Sequence, residues 1–246
     1  MRKQKQSFAM RATETTSTQD RVIELSDFSE SERSRALQAF GLLPPGDAVE
    51  IVTHRRPGRL FAELHGRYGV GFYWWSLERG PSVWRTMLAK PELDAPKTVA
   101  EAMRADHQRL DQLWSELEAA VDFCQIDGVQ RRLSELSLGL RRYIDIEEGI
   151  IFAVLDGQTG ADGARHTAPM RLEHREIKNA LDHFSMLCSP GNCAAILQAF
   201  DHPIDPIRLF RSHCREEEAC LYPFMREVFD SAENRELLLL IQAFEI

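Results

Sequence analysis

IRLFRSHCREEEACLYPFMREV, residues 207–228, sets the architecture of this chain. At a period of 3.6 residues its apolar positions (Ile207, Phe210, Leu221, Phe224, Val228) form one stripe, with Cys220 beside them. His213 and Glu217 lie in the same stripe, four residues apart, and so share one helix face. An imidazole and a carboxylate on an inward face are costly to bury unless something pairs with them.

Three more segments show the same pattern. A helix over 98–122 carries Val99, Met103, Leu110, Leu113, Leu117 and Val121, with His107 in line. One over 127–156 carries Leu133, Leu136, Leu140, Tyr143, Glu147, Ile150, Ile151 and Val154. One over 167–187 carries Met170, His174, Ile177, Leu181 and Phe184. GQTGADG (157–163) and SPGN (189–192) separate the segments. With the fourth helix at 204–230, the long segments predict an up-down four-helix bundle over 99–246. A short helix at 193–200 and an amphipathic C-terminal tail helix at 232–244 complete it.

Each long helix therefore turns a metal-capable side chain inward. A lone inward histidine is ordinarily a satisfied core residue, and a buried glutamate ordinarily pairs with Arg or Lys. No basic residue lies on these stripes. A dinuclear metal centre explains all these residues at once, and carboxylate plus imidazole without thiolate clusters suits iron or manganese better than zinc or copper(I).

Residues 20–88 have a different texture. RVIEL (21–25), AVEIV (48–52), VGFYWWSLE (70–78) and SVWRTML (82–88) read as strands. SESERSRALQAFGLL (29–43), with Ser29 as N-cap, and RPGRLFAELHGRYG (56–69) hold helices. The order is βαβαββ, a two-layer α+β sandwich with helices on one face. AKPELDAPKT (89–98) reads as a linker, and residues 1–19 as a disordered tail rather than a secretory signal. These boundaries give a two-domain α+β organisation.

A net charge of −8 disfavours nucleic acid and anionic membrane surfaces as partners. No apolar run reaches the roughly 18 residues of a membrane span. Five cysteines with no CxxC pair are expected as free thiols in a reducing cytoplasm, Cys188 and Cys193 being the one pair placed to close a small disulfide.

Residues 98–230 resemble the hemerythrin-like, or HHE cation-binding, family. The matching motifs are Asp106–His107, YIDIEEGIIF (143–152), Glu173–His174 and HCREEEACLYP (213–223), the last ending in the family's aromatic-Pro pair. The resemblance implies two iron ions, oxo- or hydroxo-bridged, with manganese less favoured. It implies Glu147 and Glu217 as bridging carboxylates and His107, His174 and His213 as terminal ligands. Tyr143 stands where the family usually has histidine. It either binds ferric iron as a phenolate, donates a hydrogen bond beside a vacant position, or marks an empty site. With one histidine fewer than an oxygen carrier, the site would keep more open positions. That favours binding or reducing a small oxidant (oxygen, nitric oxide or peroxide) in sensing or detoxification, with catalase-like activity among the enzymatic forms. The alternative is a non-enzymatic iron- or gas-responsive module that relays its state to a protein partner through residues 20–88. That region resembles an uncharacterised domain often fused to hemerythrin-like domains and related in fold to SirA-like sulfur carriers. No cysteine precedes Cys124, which speaks against persulfide transfer.

Other residues carry smaller expectations. His183 and His202 read as surface residues, and His166 as a loop histidine before the third helix. Glu148, Glu216 and Glu218 point away from the core, either solvated or behind the ligands. Cys220 reads as an inward core thiol. His54, Arg55, Arg56 and Arg59 form an exposed basic loop, and Phe72, Tyr73, Trp74, Trp75 and Trp84 an aromatic hairpin core.

Overall fold

The computed structural model describes residues 22–69, 71–91, 96–123, 125–189, 193–200 and 205–244. The tail at 1–19 and His202 lie outside them. Strand β1 (Val22–Leu25) leads through α1 (Glu30–Leu42) to β2 (Ala48–Thr53), and α2 (Gly58–Tyr68) leads to the hairpin β3 (Tyr73–Arg79) and β4 (Trp84–Ala89). The sheet order is β1-β2-β4-β3, with β1 parallel to β2 and the other pairs antiparallel. The parallel pair needs a crossover, which α1 supplies. Ser29 caps α1, its side chain accepting from the Glu32 N–H.

The sheet is sandwiched. Val49, Ile51, Trp74 and Leu88 pack with Phe40, Leu60, Phe61 and Leu64 of the two helices, as the alternation predicted. The opposite face lies against the helical region, where Arg109 stacks 5.2 Å over the Trp75 ring. Neighbouring Trp74 and Trp75 thus face opposite sides of the sheet, Trp74 into the core and half-buried Trp75 toward Arg109. A cavity of about 550 Å³ remains at this boundary, lined by Phe72, Trp75, Met103, Arg109, Ile241 and Gln242 among others.

The bundle is built from α3 (Val99–Asp122), α4 (Ile126–Ile146) continuing through a π turn (Glu147–Ile151) into α5 (Phe152–Thr159), then α6 (Ala161–Cys188). After the short α7 (Cys193–Phe200), α8 (Pro206–Glu216) continues through a second π turn (Glu217–Leu221) into α9 (Tyr222–Val228). Thr98 caps α3, and Asp205 with Pro206 opens α8. The C-terminal helix α10 (Ser231–Ala243) starts with a full capping box, Asp230 to Glu233. Its buried Asn234 accepts from the Val99 N–H at 2.9 Å and donates to the Phe229 and Asp230 carbonyls. Gln242 donates to the Phe72 carbonyl, so α10 ties bundle and sheet together. No described helix is long and apolar enough to cross a membrane.

Three expectations are corrected. The break at 157–163 is in fact one residue, Gly160, whose φ of +59° turns the chain between α5 and α6. A β-carbon on Gly163 would lie 2.8 Å from the Leu155 carbonyl oxygen, so this glycine serves close packing inside α6 rather than a loop. His166 is consequently helical and half-buried, stacked on Phe224 with ring centroids 4.3 Å apart. His183 is half-buried as well, not fully solvated.

Candidate metal centre

His107 comes from α3, Tyr143 from the last turn of α4, Glu147 from the first π turn, His174 from α6, and His213 and Glu217 from α8 and the second π turn. Tyr143, Glu147, His174 and Glu217 are fully buried and His213 nearly so. His107 keeps 12% of its side chain exposed, the least buried of the six.

Donor atoms of Glu147, His174, His213 and Glu217 lie within 4.8 Å of one another. His174 Nε2 is 3.1 Å from His213 Nε2 and 3.0 Å from Glu147 Oε2. Glu217 spans the cluster, with Oε1 3.1 Å from His213 Nε2 and Oε2 3.0 Å from His107 Nε2. The Tyr143 hydroxyl lies 2.7 Å from both Glu217 oxygens and from His107 Nε2. The six residues therefore converge as two halves joined by Glu217. One half holds His174 and His213, the other His107 and Tyr143.

The outer nitrogens are held too. Glu148 accepts from His174 Nδ1 at 2.8 Å, and Glu173 from His213 Nδ1 at 2.7 Å. A carboxylate behind the far nitrogen fixes the ring and keeps the proton on Nδ1. The Nε2 atoms of His174 and His213 face each other across 3.1 Å beside the buried Glu147 and Glu217 carboxylates, a grouping of donor atoms that could hold a cation. Glu148 thus stands behind a ligand position, one of the two roles its sequence context allowed. Glu218 instead accepts from Arg104 Nε with both carboxylate oxygens, and Glu216 is exposed. In the sequence, Glu173 was visible only as part of the Glu-His motif. Glu173→Gln is expected to weaken metal binding about tenfold or more, measured by competition with a chelator of known affinity. Unchanged affinity would remove Glu173 from the site.

Charge points the same way. Burial, then repulsion from Glu217, raises the Glu147 carboxyl above the usual carboxylate range. Burial also pushes Glu217 upward, but His213 and hydrogen bonds from His107 and His213 outweigh it and hold Glu217 well below that range. Glu147 Oε1 is buried with no hydrogen-bond partner. An orphaned carboxylate oxygen beside a second carboxylate is unstable without a cation to accept it. The donor set, buried carboxylates and imidazoles, could hold a metal ion.

The two π turns begin at the two central glutamates. In each, the N–H five residues on donates to the glutamate carbonyl, Phe152 to Glu147 and Tyr222 to Glu217. On a regular α-helix that fifth residue would lie about 140° around the axis. The wider π turn brings it back toward the core. Phe152 stacks on His174 at 5.6 Å and Tyr222 on His107 at 6.0 Å, with Arg171 over the first ring and Arg104 over the second. This near-symmetry corrects the sequence-based stripes. Tyr222, Met225, Phe152 and Leu155 are buried, whereas Phe224, Val228, Ile150 and Val154 are only half-buried.

Cys220, expected to face inward, is exposed for the same reason. The thiol near the site is Cys214, whose sulfur lies within 4.8 Å of His107 and Glu217 donor atoms. Burial and the charge of Glu217 push that thiol far up, so it stays protonated. Cys188 is a free buried thiol. In the basic loop, His54, Arg55, Arg56 and Arg59 are exposed, and His54 Nδ1 contacts the Ser82 carbonyl.

Residues 98–223 match the Hemerythrin HHE cation binding domain, and residues 22–90 match an uncharacterized conserved protein family, DUF2249. Neither a curated protein nor a solved structure matches the chain.

Proposed function

Because this chain belongs to the hemerythrin HHE cation-binding family, we propose that it is a non-haem di-iron protein that binds or reduces a small oxidant (oxygen, nitric oxide or peroxide) in sensing or detoxification. Glu147 and Glu217 would be the carboxylates shared by the ions, with His174 and His213 as ligands on one side of Glu217 and His107 and Tyr143 on the other. Manganese is the lesser alternative, since a phenol oxygen favours ferric iron. A cytoplasmic setting fits the free Cys188 thiol.

The observation that carries this reading is the joint geometry of the facing Nε2 atoms and the orphaned Glu147 oxygen. The iron pair, when bound, supplies redox chemistry and coordination positions for a small ligand. The chain supplies the rest. Glu148 and Glu173 orient the histidines, while Phe152, Phe210 and Leu221 exclude water from the cluster. Of the cluster's three histidines, His107 is the one that is partly exposed.

Tyr143 gives the direct test. The iron-loaded protein is expected to show a visible phenolate-to-iron absorption band that Tyr143→Phe removes. A band that persists in the variant, or a wild-type spectrum without one, contradicts phenolate ligation. Exposure of iron-loaded protein to oxygen, nitric oxide and peroxide in turn, followed spectrally and by gas evolution or uptake, tests the oxidant. No response to any of the three contradicts the oxidant-binding reading.

A second reading has its own support. Asp106, adjacent to His107, is bound by Arg109, and Arg109 stacks on Trp75 of the sheet. This contiguous path suits a module that relays the metal site's state to a partner of residues 22–90. Pull-down that differs with and without metal supports the relay, and identical partners in both states count against it.

A further inference from the structure

We propose that Tyr222 is a positioning residue whose hydroxyl donates a hydrogen bond to a small anionic ligand bound at the His107 half of the metal centre. The inference rests on the di-iron reading above.

Tyr222 is fully buried, and its hydroxyl lies 3.2 Å from His107 Nε2. That nitrogen is also approached by Tyr143 at 2.7 Å and by Glu217 at 3.0 Å. When Nε2 binds a metal its lone pair is taken, and the Tyr222 hydroxyl loses that acceptor. A buried hydroxyl without an acceptor is costly, and the acceptors then left to it are the Tyr143 oxygen, with which it also hydrogen-bonds, and a ligand bound beside it. Tyr143, in contact with both Glu217 oxygens and His107, sits centrally as a ligand does. Tyr222 contacts the donor cluster at its edge, where an incoming ligand would sit.

The other half of the centre is built differently. Phe152 occupies the equivalent place, five residues after Glu147, stacked on His174 and covered by Arg171. It has the same ring and no hydroxyl. The half bearing Phe152 is closed, with His174 and His213 both nearly inaccessible. The half bearing Tyr222 is the less enclosed one, since its histidine, His107, keeps 12% of its side chain exposed. Of the two equivalent rings, only the one on the less enclosed half carries a hydroxyl. Arg104, whose Nε donates to both Glu218 oxygens, lies 5.1 Å over the Tyr222 ring and holds it against His107.

Azide is the probe. Iron-loaded wild-type protein and Tyr222→Phe are titrated with azide and followed by absorption, with iron content measured in both. The expected result is azide affinity weakened about threefold to tenfold in the variant, the scale of one hydrogen bond, with iron content and the phenolate band unchanged. Unchanged azide affinity overturns the proposal. So does loss of iron, which would make Tyr222 a ligand, or a shifted band with unaltered affinity, which would assign the hydroxyl to Tyr143. If the variant does not fold, the asymmetric stretch of bound azide in the wild type, compared in H2O and D2O, decides. An isotope shift supports the donor, and its absence overturns it. Wild-type protein that holds no iron brings down the di-iron reading itself, a failure distinct from these.

Discussion

Glu147→Gln is expected to move stability in opposite directions with and without metal. In the metal-free chain, burial and Glu217 raise the Glu147 carboxyl. A carboxyl whose folded pKa lies above its unfolded value binds its proton more tightly in the folded state. Its ionisation therefore destabilises the fold as pH rises past the ordinary glutamate range. Neutral glutamine removes that penalty and the repulsion with Glu217, so the metal-free variant should melt at or above the wild-type temperature at neutral pH. With metal the sign reverses. Glutamine cannot bridge two cations as an anion, so the variant loses the stabilisation that bound ions give by mass action. At a thousandfold excess over Kd that is about 4 kcal/mol, or roughly 10 °C in a protein of this size. Paired melting curves with added iron and with chelator check both signs. A variant less stable than wild type under chelation, or equally stabilised by iron, contradicts the assignment.

Asp106→Ala should be the most damaging change outside the cluster itself. Asp106 accepts from Arg109 Nε at 2.9 Å and pairs with Arg142, whose side chain is only 9% exposed. Removing the carboxylate takes away the anion that two largely buried guanidiniums share, at a cost of about 3 kcal/mol. It also loosens the arginine stacked on Trp75, so the boundary between sheet and bundle should weaken with it. Burial pushes the Asp106 carboxyl up, but Arg142 and Arg109 outweigh it and keep it below the ordinary aspartate range. Its contribution is therefore complete above that range and fades as pH falls through the folded value. Urea unfolding should show the loss at neutral pH, with the gap between variant and wild type narrowing in acid. A loss under about 1 kcal/mol would mean the pair is worth no more than a surface one.

The bundle was legible because polar residues interrupted its apolar periodicity. His107, Glu147, His174, His213 and Glu217 each sit where a leucine would otherwise be, and the structure brings them together. The features that stayed hidden trace to one assumption, a constant helical period. Both π turns start inside the site, and each rotates the downstream residues by one position. That put Cys220 on the wrong face and concealed Tyr222 and Phe152. The aromatic-Pro pair at 222–223 was the available signal for Tyr222. Glu173 and Glu148 were invisible to stripe arguments because they reach a neighbouring helix from outside the core. The sheet-to-bundle contact was hidden because strand alternation predicts two faces at Trp74 and Trp75 without saying that the second is covered.

Convergent carboxylates and imidazoles that hold a pair of metal ions must be found loaded when iron is supplied. Metal analysis of freshly purified protein, expressed with iron in the medium, is the decisive experiment. About two iron ions per chain, falling to none after Glu147→Gln or chelation, is the predicted result. Protein that is folded, carries no stoichiometric metal and melts at the same temperature with or without chelator would refute the metal pair.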